Sequence, residues 1–306
     1  MILTYYNTTY NFGDALNPLI FNHFLPGFFD KNPDQLFVGI GTILGLFKGD
    51  ERTQKIIVFS SGYGAGHEDI YGPAPHIDQR YDVICLRGPL TARHLRQDPS
   101  LAVSDGALLL NHMPFEPVEK QFDYAYMPHH VSESIFSGWR EITEKAGFHY
   151  ISPESDVSTV IEHIRKTRKV LLTETMHGAI VADVFRIPWI PVKSSAHINP
   201  FKWNDWALTL DLEIHFNRIK SLFNDKNINK ILSNRFYIMR FKPLNHLTTQ
   251  MYKTFKQSRR EKEVIKELEK LKYKKPMLSN EKILNQKSQL LLEKIEHVKE
   301  KYKPNS

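Results

Sequence analysis

Short apolar runs alternate with polar or glycine-containing turns and helix-like segments over residues 1–206, and this feature limits the choice of fold most strongly. Helices are predicted at 15–24 and 89–96, and a short strand at 101–103. Repeated strand, turn and helix are typical of a parallel α/β sheet, in which helices cross over between neighbouring strands. The apolar runs predicted as strands are 1–6, 36–40, 55–60 and 81–86.

A segment rich in proline and charge separates this pattern from a second, similar one. Residues 113–120 contain two prolines and three charged side chains, which is typical of an interdomain linker. We therefore expect an α/β protein with two Rossmann-like domains, at 1–115 and 121–215, in an architecture resembling the two-lobed GT-B glycosyltransferases. The strands predicted after the linker are 122–127, 149–151, 169–173 and 189–192, and the helices are 135–146, 157–165 and 178–185.

Residues 216–306 differ from the rest of the chain in charge. They contain 23 Lys and Arg but 9 Asp and Glu, whereas residues 1–215 contain 18 Lys and Arg and 25 Asp and Glu. Long Lys- and Glu-rich segments at 244–274 and 281–301 predict a basic helical tail. Such a tail indicates an anionic partner, and the mixture of large apolar and cationic residues at 235–242 suits an anionic membrane surface. The alternatives are solvated charged helices and, for 235–242, a buried helix whose cations reach solvent.

Other classes of protein and site are not expected. The one cysteine, Cys85, lies in an apolar run and is expected to be buried, which leaves no internal disulfide or multi-cysteine metal site. No His and carboxylate spacing indicates a metal, and no Gly-x-Ser-x-Gly motif supports an α/β-hydrolase. Few aromatic residues follow Tyr252, so nucleic acid is not an expected partner. We see neither an apolar stretch of about 18 residues nor a signal peptide, so we expect a cytoplasmic protein.

Ligands of open parallel α/β sheets bind at the carboxyl ends of the strands, so residues that follow the predicted strands are the candidates for a site. In the first half these residues are Asp14, Gly41, Ser61, Gly62, Gly64, Arg87 and Asp105. In the second half they are His129, His130, Glu174, Thr175, His177 and Gly178.

Three features among these candidates indicate anion binding. The glycine-rich turn 60–66 can present backbone N–H groups to a phosphate, although it lacks the lysine of a P-loop. Arg87 can grip a phosphate or carboxylate with two N–H groups, or it can form an interdomain salt bridge. His177 precedes a helix start, where an imidazole can bind an anion, act as an acid near neutral pH, or cap the helix. Of the adjacent His129 and His130, we expect one to face the site, because neighbouring side chains of an extended chain point opposite ways.

Six segments, in this order along the chain, resemble the polysaccharide pyruvyl transferase family. They are Asn11-Phe-Gly-Asp14, Gly39-Ile-Gly41, Phe59-Ser-Ser-Gly62, Leu86-Arg87-Gly-Pro-Leu-Thr91, Ser104-Asp105-Gly-Ala-Leu-Leu109 and Glu174-Thr-Met-His177-Gly178. Two stretches, 127–130 and 176–183, are most similar to the branch that acts in xanthan- and succinoglycan-type exopolysaccharide assembly. The resemblance covers about residues 2–206.

The resemblance implies a transferase that uses no cofactor, takes phosphoenolpyruvate as donor and a saccharide, often lipid-linked, as acceptor, and forms a pyruvate ketal across two hydroxyls. It implies His177 as the acid or phosphate partner and Asp14 or Asp105 as the base, although an Asp in such a loop can equally be a helix cap. Many family members carry an arginine at the position of Thr175, and Lys193 or Arg87 is expected to take its role.

Two alternative functions stay open at this point. The first is a nucleotide-sugar-dependent glycosyltransferase of the GT-B type, since fold alone does not separate the two activities. The second is a non-enzymatic scaffold that the basic tail recruits to a membrane polysaccharide complex. For a cytoplasmic protein whose basic tail binds a membrane, we expect a peripheral location at the inner face.

Overall fold

The computed structural model describes residues 1–8, 10–222 and 256–303. The predicted aromatic and cationic segment 235–242 and the first part of the predicted helix 244–274 lie outside these ranges. In chain order, the strands within them are β1 (Ile2–Thr4), β2 (Gln35–Val38), β3 (Lys55–Ser61), β4 (Tyr81–Leu86), β5 (Phe122–Met127), β6 (His149–Tyr150), β7 (Thr167–Thr173), β8 (Trp189–Lys193) and β9 (Asn217–Arg218). The helices are α1 (Phe12–Phe24), α2 (Glu68–Tyr71), α3 (Pro89–His94), α4 (His130–Ile135), α5 (Trp139–Lys145), α6 (Val157–Lys166), α7 (Met176–Val184), α8 (Pro200–Ala207), α9 (Lys256–Leu271) and α10 (Glu281–Lys301).

The chain forms two compact units that are interleaved along the sequence. The first contains Met1–Phe115, Asn199–Ile214 and Ser279–Ser306, and the second contains Glu116–Ile198 and His215–Leu278. Each unit is an α/β unit with its own parallel sheet, as expected of Rossmann-like domains.

The sheet of the first unit follows the sequence, in the order β1-β2-β3-β4, with all neighbours parallel. The four apolar runs predicted as strands in this unit each contain a strand, although β1 and β2 end two residues before the predicted runs do. Phe37 of β2 and Phe59 of β3 stack with ring centroids 5.7 Å apart, and Phe21 of α1 contacts both rings. Cys85 of β4 is fully buried, as predicted, and burial raises the pKa of its thiol to about 12.

The sheet of the second unit has the order β6-β5-β7-β8-β9, again with parallel neighbours. The strands predicted at 122–127, 149–151, 169–173 and 189–192 are confirmed within one or two residues. This order places the ends of β5, β7 and β8 side by side, so the loops that follow these three strands share one edge of the sheet.

One predicted strand is wrong, and one predicted helix begins later than expected. Residues 101–103 do not form a strand: Ala102 makes one bridge to Leu86, because Pro99 begins a short 3-10 helix that the side chain of Asp98 caps. The helix predicted at 135–146 is observed as α5, which begins at Trp139, because a break that includes Gly138 separates it from α4, which ends at Ile135. The indole N–H of Trp139 donates to the carbonyl oxygen of Ser132 (3.0 Å), which stabilises the turn at this break.

The two described helices of the basic segment belong to different units. Helix α9 packs on α5 in the second unit, whereas α10 packs on β4 and on the 3-10 helix Gly106–His112 in the first. The division predicted from sequence, into consecutive blocks at 1–115, 121–215 and 216–306, therefore differs from the observed units, because each helix buries its apolar stripe on a separate unit. The buried residues are Val264, Leu268 and Leu271 of α9 and Leu284, Leu291, Ile295 and Val298 of α10. No helix in the described ranges combines the length and hydropathy that a membrane span needs.

Candidate functional site

In the first unit, Arg87 is fully buried and makes three hydrogen bonds to protein atoms. Its Nε donates to Asp205 Oδ2 (3.0 Å), one terminal nitrogen donates to Thr42 Oγ1 (2.8 Å), and the other to the carbonyl oxygen of Tyr63 (2.9 Å). A side chain at Gly62 would overlap the guanidinium, so this position has room only for glycine. Of the two roles considered for Arg87, these contacts favour a salt bridge, here with a carboxylate of the same unit.

Asp205 connects the residue that follows β4 to the first turn of α3. Besides the contact with Arg87, its carboxylate accepts from the backbone N–H of Thr91 (2.9 Å) and from the Thr91 hydroxyl (2.6 Å). Asp205 is fully buried, and it comes from α8, more than one hundred residues along the chain from both partners. This carboxylate had no local sequence signal, because its role depends on a contact between distant segments.

The remaining predicted residues of the first unit lie around the ends of β1, β2 and β3. Ser61 Oγ donates to the carbonyl oxygen of Gly41 (3.2 Å), whose φ of +131° favours glycine. Asp14 lies in the first turn of α1 and accepts from the side chain of its cap, Asn11. A side chain at Gly64 would overlap the ring of Tyr71.

Asp105 has a capping role at the start of the 3-10 helix Gly106–His112. Its Oδ1 accepts from the backbone N–H of Ala107 (3.0 Å). Asp105 is thus a helix cap, which is the alternative that the sequence left open, whereas Asp14 lies within the first turn of α1, whose cap is Asn11. Their assignment as bases stays a prediction.

In the second unit, the loop after β7 leads directly into α7. Thr175 is the N-cap, and its Oγ1 accepts from the backbone N–H of Gly178 (3.1 Å). A side chain at Gly178 would overlap the hydroxyls of Thr175 and Thr173, so glycine is required there. His177 is half-buried in the first turn of α7, near the positive end of the helix dipole.

Glu174 is the central group at this edge of the second sheet. It is fully buried, and its Oε2 accepts from the backbone N–H of His129 (3.0 Å) and from Ser132 Oγ (2.7 Å). Its Oε1 accepts from the backbone N–H of Ser194 (3.2 Å). Burial raises the pKa of Glu174, and the surrounding donors oppose that rise. The carboxylate therefore ties together the loops that follow β5, β7 and β8.

Three imidazole rings lie beside Glu174. The ring centroid of His129 is 4.3 Å from that of His130 and 4.8 Å from that of His197. His129 also caps α4, because its Nδ1 accepts from the backbone N–H of Val131 (3.2 Å). His197 is buried, with Nε2 at 3.2 Å from Ser132 Oγ and Nδ1 in contact with Ser195 Oγ.

Sequence reasoning missed four residues of this group, which are Ser132, Ser194, Ser195 and His197. The rule that ligands bind where parallel strands end could have identified three of them, because Ser194, Ser195 and His197 follow Lys193 at the end of β8. Lys193 itself is half-buried and donates to the carbonyl oxygen of Ile198 (2.9 Å). Burial lowers the pKa of Lys193, and the nearby Arg218 lowers it further.

The structure thus gathers the predicted residues into two groups, one at the strand ends of each unit. The second group has the greater chemical range, because it combines a buried carboxylate, several imidazoles, hydroxyls and a half-buried ammonium. Among the described residues, no set of three or more His, Cys, Asp or Glu side chains is arranged to hold a metal ion.

No family model matches the chain. The chain is similar to the succinoglycan biosynthesis protein ExoV of Rhizobium meliloti (strain 1021), with 37% identity over 213 residues. The aligned region is 68% of this chain and 64% of the relative, so slightly less than two thirds of the relative's length is covered.

Proposed function

We propose that this protein is a polysaccharide pyruvyl transferase, which moves pyruvate from phosphoenolpyruvate onto a sugar of an exopolysaccharide, a capsule or a lipid-linked precursor. The observation that carries the proposal is the 37% identity to a succinoglycan biosynthesis protein over 213 residues. The assignment of pyruvyl transfer as the reaction rests on the six segments that resemble the polysaccharide pyruvyl transferase family. Their candidate residues lie at or near the strand ends of the two sheets, where ligands of parallel α/β sheets bind.

The proposal includes an architecture and a location. The two α/β units would be the Rossmann-like lobes of a GT-B-like transferase. The cations of 216–306 would hold the enzyme at the inner face of the membrane, where a lipid-linked acceptor is presented.

The reaction needs groups that bind anions and groups that move protons. Phosphoenolpyruvate carries a phosphate and a carboxylate. Protonation of its methylene carbon creates an oxocarbenium centre at C2, which one sugar hydroxyl attacks. Phosphate then leaves, and a second hydroxyl closes the ketal. We assign His177, at the start of α7, as the acid or phosphate partner.

Lys193 is the better candidate for the role of the arginine that many family members carry at the position of Thr175. The guanidinium of Arg87 already donates to three acceptors in its own unit, and it is fully buried. Lys193 is half-buried, and its ammonium has two hydrogen atoms besides the one donated to Ile198. Lys193 also lies on the strand next to β7, which leads to Thr175.

The donor is identified by thermal unfolding of the full chain with phosphoenolpyruvate and, separately, with UDP-glucose and UDP-galactose. We expect phosphoenolpyruvate to raise the unfolding midpoint and the nucleotide sugars to leave it unchanged. The reverse result would favour the glycosyltransferase. A midpoint that none of these compounds moves would contradict the assigned donor.

The catalytic group is tested by phosphate release from phosphoenolpyruvate, with methyl hexosides and lipid-linked oligosaccharides from a succinoglycan-producing strain as acceptors. We expect His177→Ala to lower the rate by about 10²–10⁴-fold, which is typical for removal of a general acid. The matched control is His163→Ala, which removes an imidazole from α6 and should retain activity. Release at the wild-type rate by His177→Ala would remove His177 from the mechanism.

A further inference from the structure

A chain of hydrogen bonds in the second unit connects a buried carboxylate to a serine hydroxyl. Ser132 Oγ donates to Glu174 Oε2 (2.7 Å) and lies 3.2 Å from His197 Nε2. Ser195 Oγ contacts Nδ1 of the same ring and lies farther, 3.4 Å, from Nε2. The reaction proposed above assigns no proton transfer to either serine or to either nitrogen of this ring.

The direction of each hydrogen bond follows from the number of protons available. A serine hydroxyl has one hydrogen, and that of Ser132 is directed to Glu174. Ser132 Oγ can therefore only accept from His197, so Nε2 carries the ring hydrogen. In the neutral ring Nδ1 is then an acceptor, and the hydroxyl hydrogen of Ser195 is directed to it.

We propose that Ser195 and His197 form the proton-accepting pair of the transferase, oriented by Ser132 and Glu174. Oxygen nucleophiles are activated by a hydroxyl that donates to an imidazole, when a third group orients that imidazole. Here the orienting groups are the Ser132 hydroxyl and, behind it, the Glu174 carboxylate. Ser132 and Glu174 are positioning residues in this scheme, because they act through His197. The inference rests on the proposed function for its substrate but not for its hydrogen-bond pattern.

The pair completes the proton transfers of the reaction. As the oxygen of the saccharide hydroxyl bonds to C2 of the donor, its O–H bond breaks and the proton passes to Ser195 Oγ. The hydrogen of Ser195 passes at the same time to His197 Nδ1. The ring becomes an imidazolium, whose positive charge is balanced through Ser132 by the Glu174 carboxylate. The imidazolium passes this proton to water, and the phosphate departs with the C–O electron pair. The second hydroxyl then bonds to C2 and gives its proton to the pair in the same way. Of the two protons released, one restores the acid His177 and the other is taken up by the phosphate or by water.

Ser195 and His197 are better candidates for the catalytic base than Asp14 and Asp105. Asp14 and Asp105 are both engaged at helix starts in the first unit, whereas Ser195 and His197 follow β8, the strand next to β7, whose loop leads to the acid candidate His177. Among the groups that face the His197 ring are Glu174, through Ser132, the hydroxyl of Ser195 and the imidazole of His129.

The hydrogen-bond pattern is tested by NMR on the full chain labelled with [15N]histidine, at a pH where the ring is neutral. The signal of His197 is identified by its loss in His197→Gln. We expect the tautomer with hydrogen on Nε2 in the wild type, and a changed Nε2 signal in Ser132→Ala. Hydrogen on Nδ1 in the wild type would overturn the proposal, whatever the reaction of the protein is.

The catalytic role is tested by phosphate release with the same donor and acceptors. We expect Ser195→Ala and His197→Gln to lower kcat by about 10²–10⁴-fold with an unchanged KM for phosphoenolpyruvate. Ser195→Thr, which keeps the hydroxyl, should retain more activity, and the control His163→Gln should match the wild type. Ser195→Ala and His197→Gln variants that fold and keep the wild-type kcat would overturn the role. If the wild type does not consume phosphoenolpyruvate, the proposed function fails, while the tautomer still decides the hydrogen-bond chain.

Discussion

At the scale of single residues, the contact between Arg87 and Asp205 has the largest expected effect on stability. Both side chains are fully buried. The Arg87 guanidinium donates to the Asp205 carboxylate, which also accepts from the Thr91 hydroxyl. A buried ion pair often adds little compared with apolar side chains of the same shape. Removal of one partner, however, leaves the other charge buried without compensation. The pair therefore makes the loops after β4 sensitive to substitutions in α8.

We expect Asp205→Asn to lower the free energy of unfolding by about 3–5 kcal/mol, because the amide leaves the Arg87 charge uncompensated and turns a donor toward other donors. Denaturant unfolding measures the change. The matched control is Asp50→Asn, which removes an exposed partner of Arg52. That loss should have a much smaller effect, because a surface ion pair is solvated and contributes little. Equal effects of the two substitutions would show that the buried pair carries no special weight.

At the scale of elements, local pattern predicted the strands well and failed where distant residues decide. Apolar runs such as 55–60 identify buried strands directly, because all residues of this run after Lys55 are buried. The break at Gly138 depends on the contact of Trp139 with Ser132, which helical periodicity does not show. The strand-end rule found Glu174 and His129. The same rule points to the residues after β8, which include His197, but it does not reveal the contact of His197 with Ser132, 65 residues away in the sequence.

Strand β6 and helix α6 are in contact through two imidazoles whose lowered pKa values make the folded state more stable at higher pH. His149 Nε2 lies 3.1 Å from His163 Nδ1, and the ring of His149 stacks on Phe122 with centroids 3.8 Å apart. Burial, followed by the nearness of His163, lowers the pKa of His149 from 6.5 to about 4, and burial also lowers the pKa of His163. Both rings are thus held neutral in the folded state at pH values where the unfolded chain is protonated.

The stability of the protein should therefore fall as the pH is lowered from 6.5 toward 4, because the unfolded state takes up protons that the folded state does not. Above pH 6.5 these two rings contribute no pH dependence. We expect His149→Gln to reduce the loss between pH 7.5 and pH 5, measured as the shift in the thermal midpoint. The control is His23→Gln, at an exposed position of α1. An unchanged pH dependence in His149→Gln would contradict the role of the pair.

At the scale of the whole molecule, the basic segment is in part a structural component. Helices α9 and α10 bury their apolar residues in the second and first unit respectively. Tyr302 donates to Asp82, and Lys301 Nζ lies 2.8 Å from the same carboxylate, so the end of α10 is also held by polar contacts. The apolar faces of these two helices are therefore not available to a membrane. Attachment would have to use exposed cations and the segment 235–242.

Attachment through charge makes a distinct prediction. Each Lys or Arg near an anionic lipid surface contributes about 1 kcal/mol, and the attraction is screened over a Debye length of about 10 Å at 0.1 M salt. We expect the protein to sediment with anionic vesicles at low salt and to be released as salt is added. The triple substitution of Arg235, Arg240 and Lys242 with Gln should weaken this binding. The matched control replaces Arg52, Arg93 and Lys48, which are exposed cations of the first unit, and changes the net charge equally. If both triple variants bind equally well, total charge and not the segment 235–242 holds the protein at the membrane. If the wild type never sediments, the proposed attachment is wrong, and α9 and α10 serve only to stabilise their units.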